Sequence, residues 1–434
     1  MSILSRHRLG ASVFLTLGVL AAGAIAASAK SDVRLAGDLS VVAVWSGAEQ
    51  ASFNAVLAGF EQRNPGVKVT YASAGAQLPT VLATAVQGGN PPDVAVLPQP
   101  GLMKDFVGKG ALKPIDFAKS TIARNFSSDW TKLGTVNGKL YGVFFKGANK
   151  SIVWFNTSVF KQAGIAKPPK TWAGFLKIAK TLRASGTKAY SIDGADGWAL
   201  TDWFENVYLR QAGAAKYDLL STHRIKWTDP SVKAALRTLA QVFGDRGNIV
   251  GGVSGSLQTG FTTALAQLFT DPPNGAMFME GDFVPSFVPA KAVAGRDYGF
   301  FAFPSINKSA PAVVGGGDVA VMFKDSAAAR ALMTYLAGPE AAEIWVRRGG
   351  FSSPNKNVPA SAYPDPTTRR TAAALANART FRFDMSDLQP GSFGATVGQG
   401  QWKLFQDFLA NPKNLDRIAA RLEAAATAAY KAGK

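Results

Sequence analysis

The chain is 434 residues long, with 47% hydrophobic and 18% charged residues, a formal net charge of +18 and no cysteine. This length exceeds the size at which a single core stops growing, so two lobes are expected, and the composition excludes disordered and fibrous classes. The lack of cysteine excludes disulfides, thiolate catalysis, cysteine zinc sites and a lipid-modified cysteine.

The first residues read as an export signal. Arg6 and Arg8 supply the basic start, ASVFLTLGVLAAGAIA the apolar run and Ala27-Ser28-Ala29 the small-residue cleavage site, so a signal over residues 1–29 and a periplasmic destination are expected. A single membrane anchor is the competing reading. Beyond this segment His223 is the only histidine, in the loop-like STHRIKWTDP, which leaves histidine-rich metal sites unavailable and marks it as a surface residue.

The next stretch, DLSVVAVW, reads as a buried strand ending at Trp45. QASFNAVLAGFEQRNPG places Phe53, Val56, Leu57 and Phe60 at helical spacing and stops at Asn64-Pro65-Gly66. VKVTY alternates like a strand, TVLATAVQGG reads as a helix, and PPDVAVL as a short strand. Strand alternating with helix is the pattern of a parallel sheet wrapped by helices.

Between Asp129 and Asp193 there is no acidic residue, while Lys132, Lys139, Lys146, Lys150, Lys161, Lys167, Lys170, Lys177, Lys180, Arg183 and Lys188 accumulate. They are spread over a strand, a loop and the polar side of a helix rather than gathered into a patch with base-stacking aromatics, which argues against nucleic acid. A solvated surface able to attract acidic partners is expected, with an anionic ligand as the alternative.

A second unit starts after GKLYGVFFKGANKSIVWFN. The helix TWAGFLKIAKTLRASG is capped by Thr171, with Trp172, Phe175, Leu176, Ala179 and Leu182 as its apolar stripe. SVKAALRTLAQVF is another helix. DYGFFAF and DVAVMF follow as strands, then helices over SAAARALMTYLAG and PEAAEIWVRRGG, and a helical tail from Gln401.

FEQRNPGVKV, NPPDVAVL, GKLYGVFFKGANKSIVWFNTSVFKQAGIAKPPKTW, GAMFMEGDFV, DYGFFAFPSI and GGGDVAVMF, in this order, resemble the extracellular solute-binding proteins that serve bacterial ABC sugar importers. Within that family DGWALTDWFENVYLRQAG, MEGDFVPSF, VGGGDVAVMF and RRGGFSSPNKNV are most similar to the branch associated with α-glucosides. The resemblance implies an α/β fold of the two-lobed periplasmic-binding-protein type II kind, with a ligand cleft between the lobes and several hinge crossings. Carried onto this chain, the crossings fall near Lys146–Lys150, Phe300–Phe303 and Arg348–Phe351. Lobe one is then 30–146 plus 303–348, and lobe two is 147–302 plus 349–434. The resemblance also implies a monomeric receptor without a cofactor, whose partners are a sugar and a cognate inner-membrane permease.

A sugar offers hydroxyls at its rim and C–H faces above and below, so its site needs carboxylates, amides and aromatics in loops at strand ends. Trp45, Ser46 and Glu49 meet this description between the first strand and helix, and Gln99 does so after AVLP. Asn149 and Lys150 sit in a small-residue break between strands. Trp198 and Asp202 are four apart and share a helical face. Glu280, Asp282 and Phe283 end the strand GAMFM, and the two acids also fit a glycoside-acting enzyme that protonates and attacks a glycosidic bond. Gly-Gly-Gly-Asp at 315–318 matches neither phosphate-binding glycine pattern, since the glycines precede a strand and Asp318 repels phosphate. By resemblance, Gly315, Gly316 and Gly317 let the backbone approach the ligand and Asp318 accepts its hydroxyls. Arg348 and Phe351 follow a helix end at the third crossing and are candidates for ligand contact or hinge packing.

Overall fold

The computed structural model describes residues 35–432, so the expected signal at 1–29 lies outside the described residues. Strands β1 (Ala36–Ala43), β2 (Gly66–Ser73) and β3 (Val94–Leu97) alternate with the helices Gly47–Arg63 and Leu78–Gln87. β1 lies between β2 and β3 and runs parallel to both, with Ala36 opposite Gly66 and Val41 opposite Val94. The first helix buries Phe53, Val56, Leu57 and Phe60, and it ends where Asn64 folds its backbone and side-chain N–H groups back onto the carbonyl of Phe60.

A small hairpin, β4 (Thr135–Val136) and β5 (Lys139–Leu140), leads into β6 (Gly142–Asn149) and then β7 (Ile152–Asn156). β8 (Lys188–Ser191), β9 (Gly275–Met279) and β10 (Tyr298–Ala302) follow, then β11 (Val313–Met322) and β12 (Phe381–Phe383). They form two main sheets. One has six strands in the order β12-β11-β3-β1-β2 with β6 also on β11, and the other has four in the order β10-β7-β9-β8. Each sheet has its own apolar core. Phe53, Phe60, Trp345 and Val41 belong to the first, and Phe175, Trp203, Trp227 and Phe405 to the second.

The chain therefore passes between lobes three times. The first passage is Lys150–Ser151, between β6 and β7, and the second lies between Ala302 and Val313, linking β10 to β11. After the helix Pro339–Val346 the chain stays with the first core, where Phe351, Tyr363 and Ala372 are packed, and β12 pairs with β11. Residues of the second core resume only from Met385 onward, so the third passage falls after Phe383 rather than near Arg348–Phe351. The physical reason is that Phe351 packs against Phe145 and Trp345, with ring centroids 5.2 and 5.0 Å away, and is sealed into the first lobe.

Thr171 does cap the helix Trp172–Ala184, its hydroxyl accepting from Gly174 N–H at 3.2 Å. The helical tail is two helices, Gly400–Ala410 and Leu415–Ala432, interrupted beside Pro412, which has no N–H to continue the first. His223 is half-buried rather than free on the surface, with Nε2 3.2 Å from Glu423 and the ring against Tyr430.

Candidate functional site

The loops after β1 and β3, the strands β6 and β11, and loops of the second lobe surround a cavity of about 410 Å³. That volume lies in the lower part of the range of roughly 300–1,000 Å³ usual for small-molecule sites. Its walls differ in chemistry. One is aromatic, made of Trp198, Phe261, Phe283 and Phe287, with ring centroids 5.0–6.4 Å apart along the series. All four are partly exposed, unlike the sealed rings of the two cores.

Much of the remaining lining is polar: Ser46, Glu49, Gln99, Lys146, Lys150, Asp318, Asp384 and Asp387. Gln99 is 4% exposed, and its side-chain oxygen has no protein partner. Around Lys146 lie Glu49, in direct hydrogen bond, and Asp318 and Asp282 further off. Burial opposes the lysine's charge, but Glu49 and Asp318 outweigh it and raise its pKa. Burial conversely pushes the Glu49 and Asp318 carboxyls up, against the pull of Lys146. The same ammonium sits over the rings of Trp345 and Phe283, 5.1 and 5.4 Å from their centroids, adding cation–π attraction.

Lys150 holds a second network at the first passage. Its Nζ lies 2.5 Å from Asp384, 3.3 Å from Asp202 and 3.6 Å from Asp387, and 5.7 Å from the centroid of Trp198. One cation cannot neutralise three buried carboxylates. Burial raises the Asp202 and Asp387 carboxyls well above their usual range, whereas Lys150 and a hydrogen bond from Asp202 overcome burial at Asp384 and hold it low. One lysine charge is thus set against three buried carboxyls, two of which burial pushes up, so the group titrates as a unit.

Trp45, Ser46, Glu49, Gln99, Lys150, Trp198, Phe283, Gly317 and Asp318 all line this one cavity. Asn149, Asp202, Glu280, Asp282, Gly316, Arg348 and Phe351 do not. Asn149 is 3% exposed and accepts from Ser151 N–H, Asp202 is sealed beneath Lys150, and Arg348 bonds the hydroxyl of Ser52. Glu280 is fully buried and Asp282 accepts from Ser352 at 2.5 Å, so neither carboxyl reaches the cavity as an acid or nucleophile would have to.

The glycines of Gly-Gly-Gly-Asp are inside β11, not before it, and pair with β6. Gly315 and Gly316 make room for protein rather than ligand. A Cβ at Gly315 would lie 2.2 Å from the ring of Phe381, and one at Gly316 would lie 2.9 Å from the Lys150 stem. Asp318 sits at the bulge that follows and accepts from Trp45 Nε1 at 3.2 Å. Trp45→Phe keeps the apolar body among Phe53 and Trp345 but removes that donor. It is expected to lower the unfolding free energy by about 1–2 kcal/mol in urea titrations.

Several lining residues escaped the sequence reading. Asp384 and Asp387 are legible afterwards as acids three apart, Asp384 capping a short helix through Asp387 N–H. Phe261, Phe287 and Trp402 had only their residue type as a signal. Among the described residues no group of three or more histidine, cysteine or acidic side chains could hold a metal ion, and no helix is long and apolar enough to cross a membrane.

Two α/β lobes joined by several passages around a ligand-sized cleft are the architecture of a solute receptor. The sequence profile described as bacterial extracellular solute-binding protein matches residues 45–343. The chain is 34% identical over 396 residues to the alpha-glucosides-binding periplasmic protein AglE of Rhizobium meliloti (strain 1021), covering 88% of this chain and 85% of that one. It is also 34% identical over 364 residues to the osmoprotective compounds-binding protein GgtB of Synechocystis sp. (strain ATCC 27184 / PCC 6803 / Kazusa), covering 82% and 85%. Among solved structures, the bacterial solute receptor AcbH, with a preference for β-D-galactopyranose, superposes with a TM-score of 0.80 at 21% identity over 92% of this chain and all of that one. A chitin oligosaccharide binding protein gives 0.78 at 20% identity, covering 91% and 99%. The chain belongs to the bacterial extracellular solute-binding protein family, and it is a receptor rather than an enzyme.

Proposed function

We propose that the protein is the periplasmic substrate-binding component of an ABC sugar importer, which captures a small uncharged oligosaccharide of the α-glucoside class and delivers it to the permease. The observation that carries this reading is the pairing of a half-exposed aromatic wall with a wall of carboxylate, amide and ammonium groups across about 410 Å³. Rings such as Trp198 and Phe283 suit the C–H faces of a sugar, and Ser46, Glu49, Gln99 and Asp318 suit its hydroxyls. The similarity to a relative named for alpha-glucosides supports the substrate class. The aromatic wall and the Glu49–Gln99 wall belong to different lobes, so a ligand touching both favours the closed form by that difference in contact.

Titration calorimetry with maltose and trehalose is expected to give one site per chain with micromolar Kd, near −8 kcal/mol, and intact sugar on recovery. Trp198→Ala should weaken that binding about 10- to 30-fold through loss of one stacked ring. No heat with either sugar, together with a thermal shift from osmoprotective polyols or from putrescine, rejects the α-glucoside reading.

A further inference from the structure

The basic run between Asp129 and Asp193 lies outside the cleft, apart from Lys146 and Lys150. On the helix Trp172–Ala184, which buries Trp172, Phe175, Ala179 and Leu182, Lys177, Lys180 and Arg183 are all exposed. Lys167 and Lys170, also exposed, lead into that helix. Lys308 follows the segment in which Ser305 pairs with Thr171 and bonds the carbonyl of Lys170, so it joins the same face. Lys188, on edge strand β8, reaches the carbonyl of Gly247, and the Arg183 guanidinium lies beside the Cα of that glycine. The one acid brought to this cluster is Asp245, 3.8 Å from Arg183, and the lysines there have no carboxylate partner among the described residues.

We infer that this lysine-rich face of the second lobe is a docking surface for an anionic lipid bilayer, held by charge with no inserted side chain. Three features favour lipid over a protein partner. The charges are almost all lysines, compact hydrated cations, rather than arginine forks suited to bidentate carboxylate recognition. They are spread along a helix side, its leading loop and an edge strand, which suits a flat sheet of headgroups. The large exposed apolar side chains of the described residues are Val81, Phe117 and Val293, none of them in 157–188, so the apolar anchor at the centre of most protein interfaces is missing. Juxtamembrane lysines near an anionic leaflet gain attraction that fades beyond a Debye length of about 10 Å at 0.1 M salt. The inference does not depend on what the cleft binds.

The test is co-sedimentation of the full chain with vesicles of phosphatidylcholine containing about 30 mol% phosphatidylglycerol, beside pure phosphatidylcholine vesicles. Binding is expected to the anionic vesicles alone, falling at least about 5-fold between 0.05 and 0.5 M NaCl. Joint replacement of Lys167, Lys170, Lys177 and Lys180 by Glu should abolish it, and by Gln should weaken it at least about 5-fold. The same number of Lys→Glu changes at Lys68, Lys109, Lys113 and Lys139, on the other lobe, should leave most of it. Melting and ligand titration of each variant show that the fold and cleft are intact. The inference is overturned by absent vesicle binding, by equal loss in the other-lobe variant, or by retention on immobilised polyglutamate without vesicle binding, which would point to an acidic protein instead.

Discussion

Lys150→Met is expected to destabilise the folded protein by about 3–5 kcal/mol at pH 7, the usual loss when one partner of a buried ionic cluster is removed. The lysine stem lies against Gly316, and methionine fills much of that space, so the loss is mainly electrostatic. Without the ammonium, Asp384 keeps its contact with Asp202, the hydroxyl of Ser386 and its own helix cap, and burial then drives its pKa upward. In the wild type the low pKa of Asp384 contributes stability above the unfolded carboxyl range, and this is lost only in strong acid. In the variant the sign reverses: the protonated acid is favoured, so stability falls as pH rises. Lys150→Met should therefore be far less damaged at pH 5 than at pH 8, and adding Asp384→Asn should recover much of the loss. Urea titrations at both pH values read this directly, and a loss below about 1 kcal/mol at pH 8 means the cluster contributes little.

The wild type is expected to lose stability between pH 5 and pH 9, and Glu280→Gln to remove a large part of that loss. Burial pushes the Glu280 carboxyl up to about 8 and that of Asp282 up to about 6. Asp193, buried with both oxygens unpartnered and facing the charge of Glu280, is raised well above its ordinary range. A carboxyl with a raised folded pKa contributes most below its unfolded pKa, and this is lost as pH climbs through the folded one, here between about 6 and 8. At about 1.4 kcal/mol per unit, Glu280 alone accounts for up to roughly 4 kcal/mol. Glutamine retains an acceptor for Gly281 N–H and has no proton to release. Denaturant melts of both proteins across this range decide it; a wild type more stable at pH 9 than at pH 5 contradicts the assignment.

The alternating strand and helix segments were readable because local periodicity and caps agree with tertiary burial at Phe53, Thr171 and Phe175. The third passage was not. RRGGF has the composition of a hinge, and only the packing of Phe351 against Phe145 and Trp345 makes it part of a core. In the cleft, Trp45 and Gln99 could be picked from sequence because they stand just after strands, where loops open at the sheet's edge, whereas Asp318 rests on the resemblance and lies within β11 at a bulge. Glu280 and Asp202 look the same in sequence, yet a turn of the chain buries them, and burial depends on what covers a residue rather than on its neighbours in sequence. Gly315 and Gly316 suggested ligand approach, whereas the bodies brought close are Phe381 and Lys150.

The aromatic wall comes from loops and helix starts of one lobe, at Trp198, Phe261, Phe283 and Phe287, while the ammonium groups are mounted on the sheet strand β6 and the passage that continues it. Rings can be exchanged there without breaking either ammonium's direct pairing to a carboxylate. Selectivity and folding robustness can thus drift separately in evolution, and a single scaffold of this design can be retuned from one solute to another by exchanging a few side chains along one rim.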